Sequence, residues 1–461
     1  MNADYSKIAG EVIKILKENF CDEHGTLIQP KKGHYRNFTP KNSTPIFNDL
    51  GDYLPFFAEL GEDEFCDKQI QATKKHLSKK HLLQPQQKFF GLGFITPYEH
   101  SDLILGLVDD YKIRRTQSSL DLAEKITKSL LKRFRLGKAS FYFPSLCFAL
   151  PLADSNDGMF IELLVELYKI TKDEFYLKQA KDLTKNLQSF PSYKKHYLLT
   201  SLHTRFRWLF PKSIRTRCRE IRLMKNNSNT LFGLLELYKV KQNSTRQDPV
   251  EQEFAKRLKK QIRRSIRAIK ENFQTESGCL YRSKKLNPDL SINHKKPGPV
   301  DLTQNFPILD FTCDAYQLWN EKSLLKFAQE IGDCWIGKQS FKTGLLPELP
   351  NSKSTHEAKN SYFDSETDML IAFRKLAKLS GEKKYANAAD KIMEGILTWH
   401  RSPEGYYLKV DITNGQATDK HFKTKFISLF LKALILYKKI ADDPEAKIYQ
   451  DSALFDLLKD R

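Results

Sequence analysis

Near the start of the chain, hydrophobic residues fall at Ile8, Val12, Ile13 and Leu16, with lysines and glutamates between them. This spacing draws one apolar stripe along a helix and predicts an amphipathic α-helix rather than the unbroken apolar run of a signal peptide. Farther on, helices apolar on most faces recur, closing at Tyr111-Lys112, Tyr168-Lys169, Tyr238-Lys239 and Tyr437-Lys438. Weaker copies run from Phe47 to Leu60, Asp310 to Trp319 and Asp364 to Lys378. With Leu60, Tyr111, Tyr168, Tyr238, Leu318, Leu376 and Tyr437 as equivalent points, the steps are 51, 57, 70, 80, 58 and 61 residues. Seven units fit the chain.

A more polar helix follows each apolar one, as at Asp173–Leu187, Lys256–Phe273, Glu321–Trp335 and Lys383–Trp399. Glycines at 25, 278, 344 and 405 then lead into short extended stretches. Glycine beyond a helix end supplies the left-handed residue that satisfies the last carbonyls. A helix apolar all round must be surrounded, whereas its polar partner needs one buried face. The expected class is therefore all-α, a closed (α/α)6 or (α/α)7 toroid of helical hairpins with short extended rim segments. It forms one domain over 1–461.

The run Asn156-Asp157-Gly158-Met159-Phe160-Ile161-Glu162, continuing through Tyr168, Thr171, Asp173, Tyr176 and Ala180, resembles a helix pair of the unsaturated glucuronyl hydrolases. These belong to the six-hairpin glycosidase-like superfamily. A second echo runs from Asp364 through Asp368 to Tyr385. The resemblance implies an (α/α) toroid acting on carbohydrate, with Asp157 as general acid/base. Ser155-Asn156 stand where that family carries an aromatic residue.

In such a toroid the starts of the inner helices form one mouth, whose positive helix termini favour carboxylates. Glycoside hydrolysis needs a carboxylic acid and a carboxylate in pairs. Besides Asp157, the candidate catalytic residues are Asp364, Glu348 (held stiffly between two prolines) and Asp49. Asp, Asn and Ser at helix starts are also ordinary N-caps. Tyr53, His356, Tyr362 and His421 lie near proposed rim segments and are candidate substrate contacts. No HExxH, phosphate-cradling glycine loop or GxSxG elbow occurs, so no metal or cofactor is expected.

The 461 residues are 40% apolar and 29% charged, which excludes a membrane bundle and a disordered chain. Seventy-six Lys+Arg against 56 Asp+Glu give +20. Of this, +7 falls between Arg205 and Lys225 and +8 between Lys256 and Lys270, marking a basic elaboration over 200–272. Arg205, Arg207, Arg215, Arg219, Arg222, Arg263, Arg264 and Arg267 are its candidate anion-binding residues. An acidic or lipid-linked glycan and an anionic membrane surface both suit it. Nucleic acid does not, since no binding module is recognisable. The seven scattered cysteines read as reduced thiols of a cytoplasmic protein, set peripherally at the inner face of a membrane in the docking case.

The leading expectation is a glycoside hydrolase-like enzyme using carboxylate acid/base chemistry. A sugar epimerase or polysaccharide lyase on the same scaffold is the alternative enzyme. A catalytically empty docking scaffold is the alternative from another class.

Overall fold

The structure is a computed structural model; it describes residues 5–30, 43–83, 87–89, 92–204, 211–244, 249–295, 297–354 and 357–442. The helices are α1 (Tyr5–Asn19), α2 (Leu54–Glu59), α3 (Asp63–His76), α4 (Tyr98–Arg114), α5 (Gln117–Arg133), α6 (Met159–Thr171), α7 (Glu174–Gln188) and α8 (Pro191–His196). They continue with α9 (Lys212–Arg217), α10 (Ser228–Ser244), α11 (Pro249–Phe273), α12 (Leu302–Trp319), α13 (Lys322–Ile336), α14 (Phe363–Ser380), α15 (Lys383–Gly395) and α16 (Thr424–Asp442).

Inner and outer elements alternate around a ring. The 3-10 turn Phe47–Asp52 with α2, then α4, α6, α10, α12, α14 and α16, pack side by side as the inner wall. Outside them lie α3, α5, α7, α11, α13 and α15, each against the inner helix it follows. Among the described residues the ring counts seven hairpins. The last inner helix, α16, takes α1 as its outer partner and meets the first inner element, which closes the ring. The Thr424 hydroxyl donates to the Ile28 carbonyl at 2.7 Å across this seam.

The apolar pattern maps onto burial as expected. In α6, Phe160, Ile161, Leu163, Leu164, Val165 and Leu167 are all buried, as an enclosed helix requires. On α11, Leu258, Ile262, Ile266 and Ile269 face inward while Arg263, Arg264 and Arg267 face solvent. The second basic segment is thus an outer helix of the ring itself. Only the first, before α10, is an excursion, made of α8, α9 and a strand at Glu220–Arg222.

Several inner helices end on a left-handed residue: Arg115, Lys172, Asn320 and Gly381 donate to the carbonyls of Tyr111, Tyr168, Tyr316 and Ala377. The equivalent points in the fifth and sixth units are therefore Tyr316 and Ala377, not Leu318 and Leu376. Strands are short two- and three-stranded pieces at the rim.

One expectation is corrected. Cys279 and Cys334 form a disulfide rather than two thiols. The turn at Gly278, where φ is +97°, aims Cys279 at α13 and brings the two Cα atoms to 5.5 Å.

Candidate active site

Five inner helices begin with a buried polar residue that bonds the extended stretch leaving an earlier outer helix. His100, Asp157, Asn227 and Asn305 accept from the backbone N–H of Leu83, Gly137, Leu199 and Leu280 at 2.7–2.9 Å. Glu366 accepts from Leu346 in the same way. A buried N–H without a partner would cost about 1–3 kcal/mol, so each residue braces the rim to the wall. Asp157 belongs to this set. It also accepts from the Ser140 hydroxyl at 2.5 Å, has no solvent-accessible surface, and is pushed by burial up to about 7. Its Oδ1 is buried with no hydrogen-bond partner among the described residues.

Nine residues past each brace stand Asp109, Glu166, Glu236, Asp314 and Lys375. Three further on in the first three units come Lys112, Lys169 and Lys239, the lysines of the Tyr-Lys landmark. These groups interlock. Lys112 lies 2.9 Å from Asp109 and 2.6 Å from Glu166; Lys169 lies 2.6 Å from Glu166 and 2.7 Å from Glu236. Lys239 pairs with Glu236, and Lys375 pairs with Asp310 and Asp314. The bore is thereby cross-linked by charge towards the C-terminal ends of α4, α6, α10, α12 and α14.

The opposite mouth holds a different constellation. Asp49 and Asp52 from the first turn and Asp102 from α4 surround Lys425 of α16, while Asp364 and Asp368 from α14 feel the charges of Lys425 and Lys432. Lys425 lies 2.9 Å from Asp49, 2.6 Å from Asp52 and 4.0 Å from Asp102. Burial works against its ammonium, yet the three carboxylates outweigh burial and hold its pKa well above the ordinary value. One oxygen from each of Asp49, Asp52 and Asp102 lies within 4.8 Å of the others. A divalent cation would accept that spacing, but here the lysine supplies the positive charge. Close backbone contact makes the cluster possible. A Cβ on Gly51 would stand 2.7 Å from the Asp102 carbonyl, and one on Gly106 would stand 2.6 Å from the Gly51 nitrogen.

On the α14 side the carboxyls are pushed the other way. Asp364 and Asp368 keep partial solvent access. Burial raises both, Asp368 to about 7. Glu348 is 6% exposed, its Oε1 bonded to the backbone and hydroxyl of Thr303, and burial raises it to about 8. Asp301 and, less, Asp364 add to that rise, and the Thr303 hydroxyl that holds Glu348 lies 3.0 Å from the hydroxyl of Ser365, the residue after Asp364. Each has one buried oxygen, Oε2 of Glu348 and Oδ1 of Asp364, with no hydrogen-bond partner among the described residues.

Of the four carboxylates nominated from the sequence, Asp49, Glu348 and Asp364 gather at the mouth, and Asp157 stands in the wall. Tyr53 is not a substrate contact. It follows the tight Phe47–Asp52 turn, which tips its ring wholly into the core. Tyr362 is half-buried, its hydroxyl on Glu357 at 3.3 Å and Lys409 over its ring. His421 is exposed and bonded to Asp419. His356, Arg205 and Arg207 lie outside the described residues. Arg222 pairs with Glu220 and Arg263 with Glu321, whereas Arg264 sits over Tyr197. Asp52, Asp102, Asp368, Lys425 and Lys432 complete the mouth. Their sequence signal is register: Asp102 and Asp368 each stand two residues after a brace.

No family model matches the sequence, and no curated protein sequence matches it. Solved structures do. An α-1,2-mannosidase from Trichoderma reesei aligns with TM-score 0.63 at 13% identity, over 94% of this chain and 92% of that one. Cellobiose 2-epimerase from Bacillus thermoamylovorans B4167 aligns at 0.55 and 13%, over 95% and 100%. An unsaturated glucuronyl hydrolase specific for heparin aligns at 0.53 and 12%, over 87% and 98%. At such identities the likeness establishes the fold alone, an (α/α) toroid.

Proposed function

We propose that the protein is a carbohydrate-active enzyme, glycoside hydrolase-like, working in the recess between Lys425 and α14. The observation that carries this reading is the division of its carboxyls into two environments. Asp368 and Glu348 are kept protonated near neutral pH by burial, while Asp49, Asp52 and Asp102 share an ammonium. Carboxyls whose environments push them apart are the requirement for a general acid beside a general base. The protonated group gives its proton to the leaving glycosidic oxygen. An ionised carboxylate takes a proton from the water that attacks the anomeric carbon.

The test is product analysis on a panel of manno-oligosaccharide, cellobiose and unsaturated glucuronyl disaccharide. Turnover of one of them, reduced about 10²- to 10⁴-fold in Asp368→Asn with the fold intact, is expected. Wild-type inertness across the panel, or full activity in Asp368→Asn, counts against the reading. Conversion to an isomer without cleavage would select epimerisation. The cytoplasmic setting rested on reduced cysteines, so the Cys279–Cys334 pair favours an oxidising compartment instead.

A further inference from the structure

A second concavity lies against the rim excursion. Its volume is about 910 Å³ and its walls are Pro191 and Ser192 of α8, Thr200, His203 and Thr204 about the short strand Leu202–His203, α9 with Cys218 and Arg219 beyond it, and Pro288 and Leu290 of a loop. Lys212, Arg215 and Arg219 all line it, together with His203, and no carboxylate does among the described residues. Among the described residues none of these three cations pairs with an acid, unlike Arg222 on Glu220 and Arg263 on Glu321 nearby. Three like charges gathered in one hollow repel one another, an arrangement that a bound anion relieves.

The walls are built rather than incidental. The Thr200 N–H donates to the Ser192 hydroxyl at 3.1 Å, and the Ser201 N–H donates to the Glu220 carbonyl at 2.8 Å. The Leu290 carbonyl is bonded by His196 and the Asp289 carbonyl by Lys195 at 2.8 Å, which fastens the far loop. Leu152, Leu202 and Cys218 form a small apolar cluster, joined by Ile214, that seats α9 on the rim.

We propose that this pocket is a binding site for a sulfate or phosphate ester carried on a sugar-sized molecule. Its volume is that of an ordinary small-ligand site, far more than a lone ion needs. Guanidinium groups bind such oxyanions with paired hydrogen bonds. A concave site selects a discrete ligand, whereas a flat lipid surface cannot enter it. Among the described residues its lining shares none of the carboxylates of the proposed reaction, and the proposal does not depend on that reaction.

The experiment is calorimetric titration of the full chain with a sulfated disaccharide, glucose 6-phosphate, and the unsubstituted disaccharide. Co-sedimentation with phosphatidylcholine vesicles, with and without phosphatidylserine, runs alongside. Saturable binding of a charged sugar and none of the neutral one is expected. The two charged probes identify which ester is preferred. In Arg215→Ala/Arg219→Ala the affinity should fall about tenfold or more, as loss of charged hydrogen bonds implies. Lys212→Ala, on an exposed side chain, gives a second reading if the double variant melts early. Unchanged affinity in both variants overturns the proposal. So does binding to phosphatidylserine vesicles alone, with no charged sugar bound. Loss of carbohydrate turnover would leave this titration unaffected, so the two proposals fail separately.

Discussion

The Lys112 ammonium of one inner helix lies 2.6 Å from the Glu166 carboxylate of the next, and both are almost fully buried. This is one link in the chain of ion pairs that ties the inner helices together on the side away from the carboxylate mouth. Buried charges cost desolvation energy that only complete pairing offsets. Removing one partner strands the others. Glu166→Ala should therefore destabilise the fold by about 3–5 kcal/mol, read by denaturant unfolding.

Glu166 also predicts acid sensitivity. Burial opposes its charge, but Lys112 and Lys169 outweigh burial and lower it to about 2. A carboxyl whose folded pKa is depressed contributes stability that is present above its unfolded value. That contribution is lost as pH falls from about 4.3 towards about 2. Glu166→Gln should flatten the acid limb of the stability curve over that window.

Asp157 should behave as a brace. Asp157→Ala leaves the Gly137 N–H unpaired and should cost about 1–3 kcal/mol, while Asp157→Asn keeps an acceptor and costs less. Turnover per folded molecule should be unchanged in both. The wild-type carboxyl is raised by burial to about 7, so its contribution is fully present below about 4 and declines as pH climbs to about 7. The stability gap between wild type and the Asn variant should shift against the wild type across that range.

If Asp368 is the proton donor, the rate should fall as pH rises above about 7, where burial no longer keeps it protonated. A pH–rate profile that is flat from 6 to 9, the range about that pKa, would remove Asp368 from the role.

Gly106→Ala would press its methyl group on the Gly51 nitrogen. The first turn and α4 must then separate, at about 1–3 kcal/mol, which loosens Asp49 and Asp52 from Asp102. Turnover should drop more than stability does.

The disulfide should add about 2–4 kcal/mol, measured as the difference between Cys279→Ser/Cys334→Ser and wild type without reductant. Equal stability of the two under oxidising conditions would show that the bond does not form.

The helical ring was legible in the sequence because burial imposes itself on composition. An inner helix such as α6 must be apolar on every side, its partner α7 on one, and a period of that alternation survives in the residues. The Tyr-Lys landmark was legible too, though as a boundary marker. Its lysines turn out to hold the ring together, a role that depends on acids from neighbouring units. Glu348 and Asp364 were readable as candidates, and the charge of one acts on the other. Asp157, the residue that a family resemblance singled out, is in the wall.

Local pattern determined which segments are helices, which faces are buried, and that some seven hairpins close on one another. It could not determine which acid faces the bore, because a brace and a proton donor are the same residue type at the same kind of helix start. That choice is made by tertiary packing. A rotation of two residues along the helix separates Asp157, turned to the Gly137 loop, from the register of Asp102 and Asp368, which face Lys425 and its neighbours. The protonation of those groups then follows from burial and neighbouring charge, which exist only once the ring has closed.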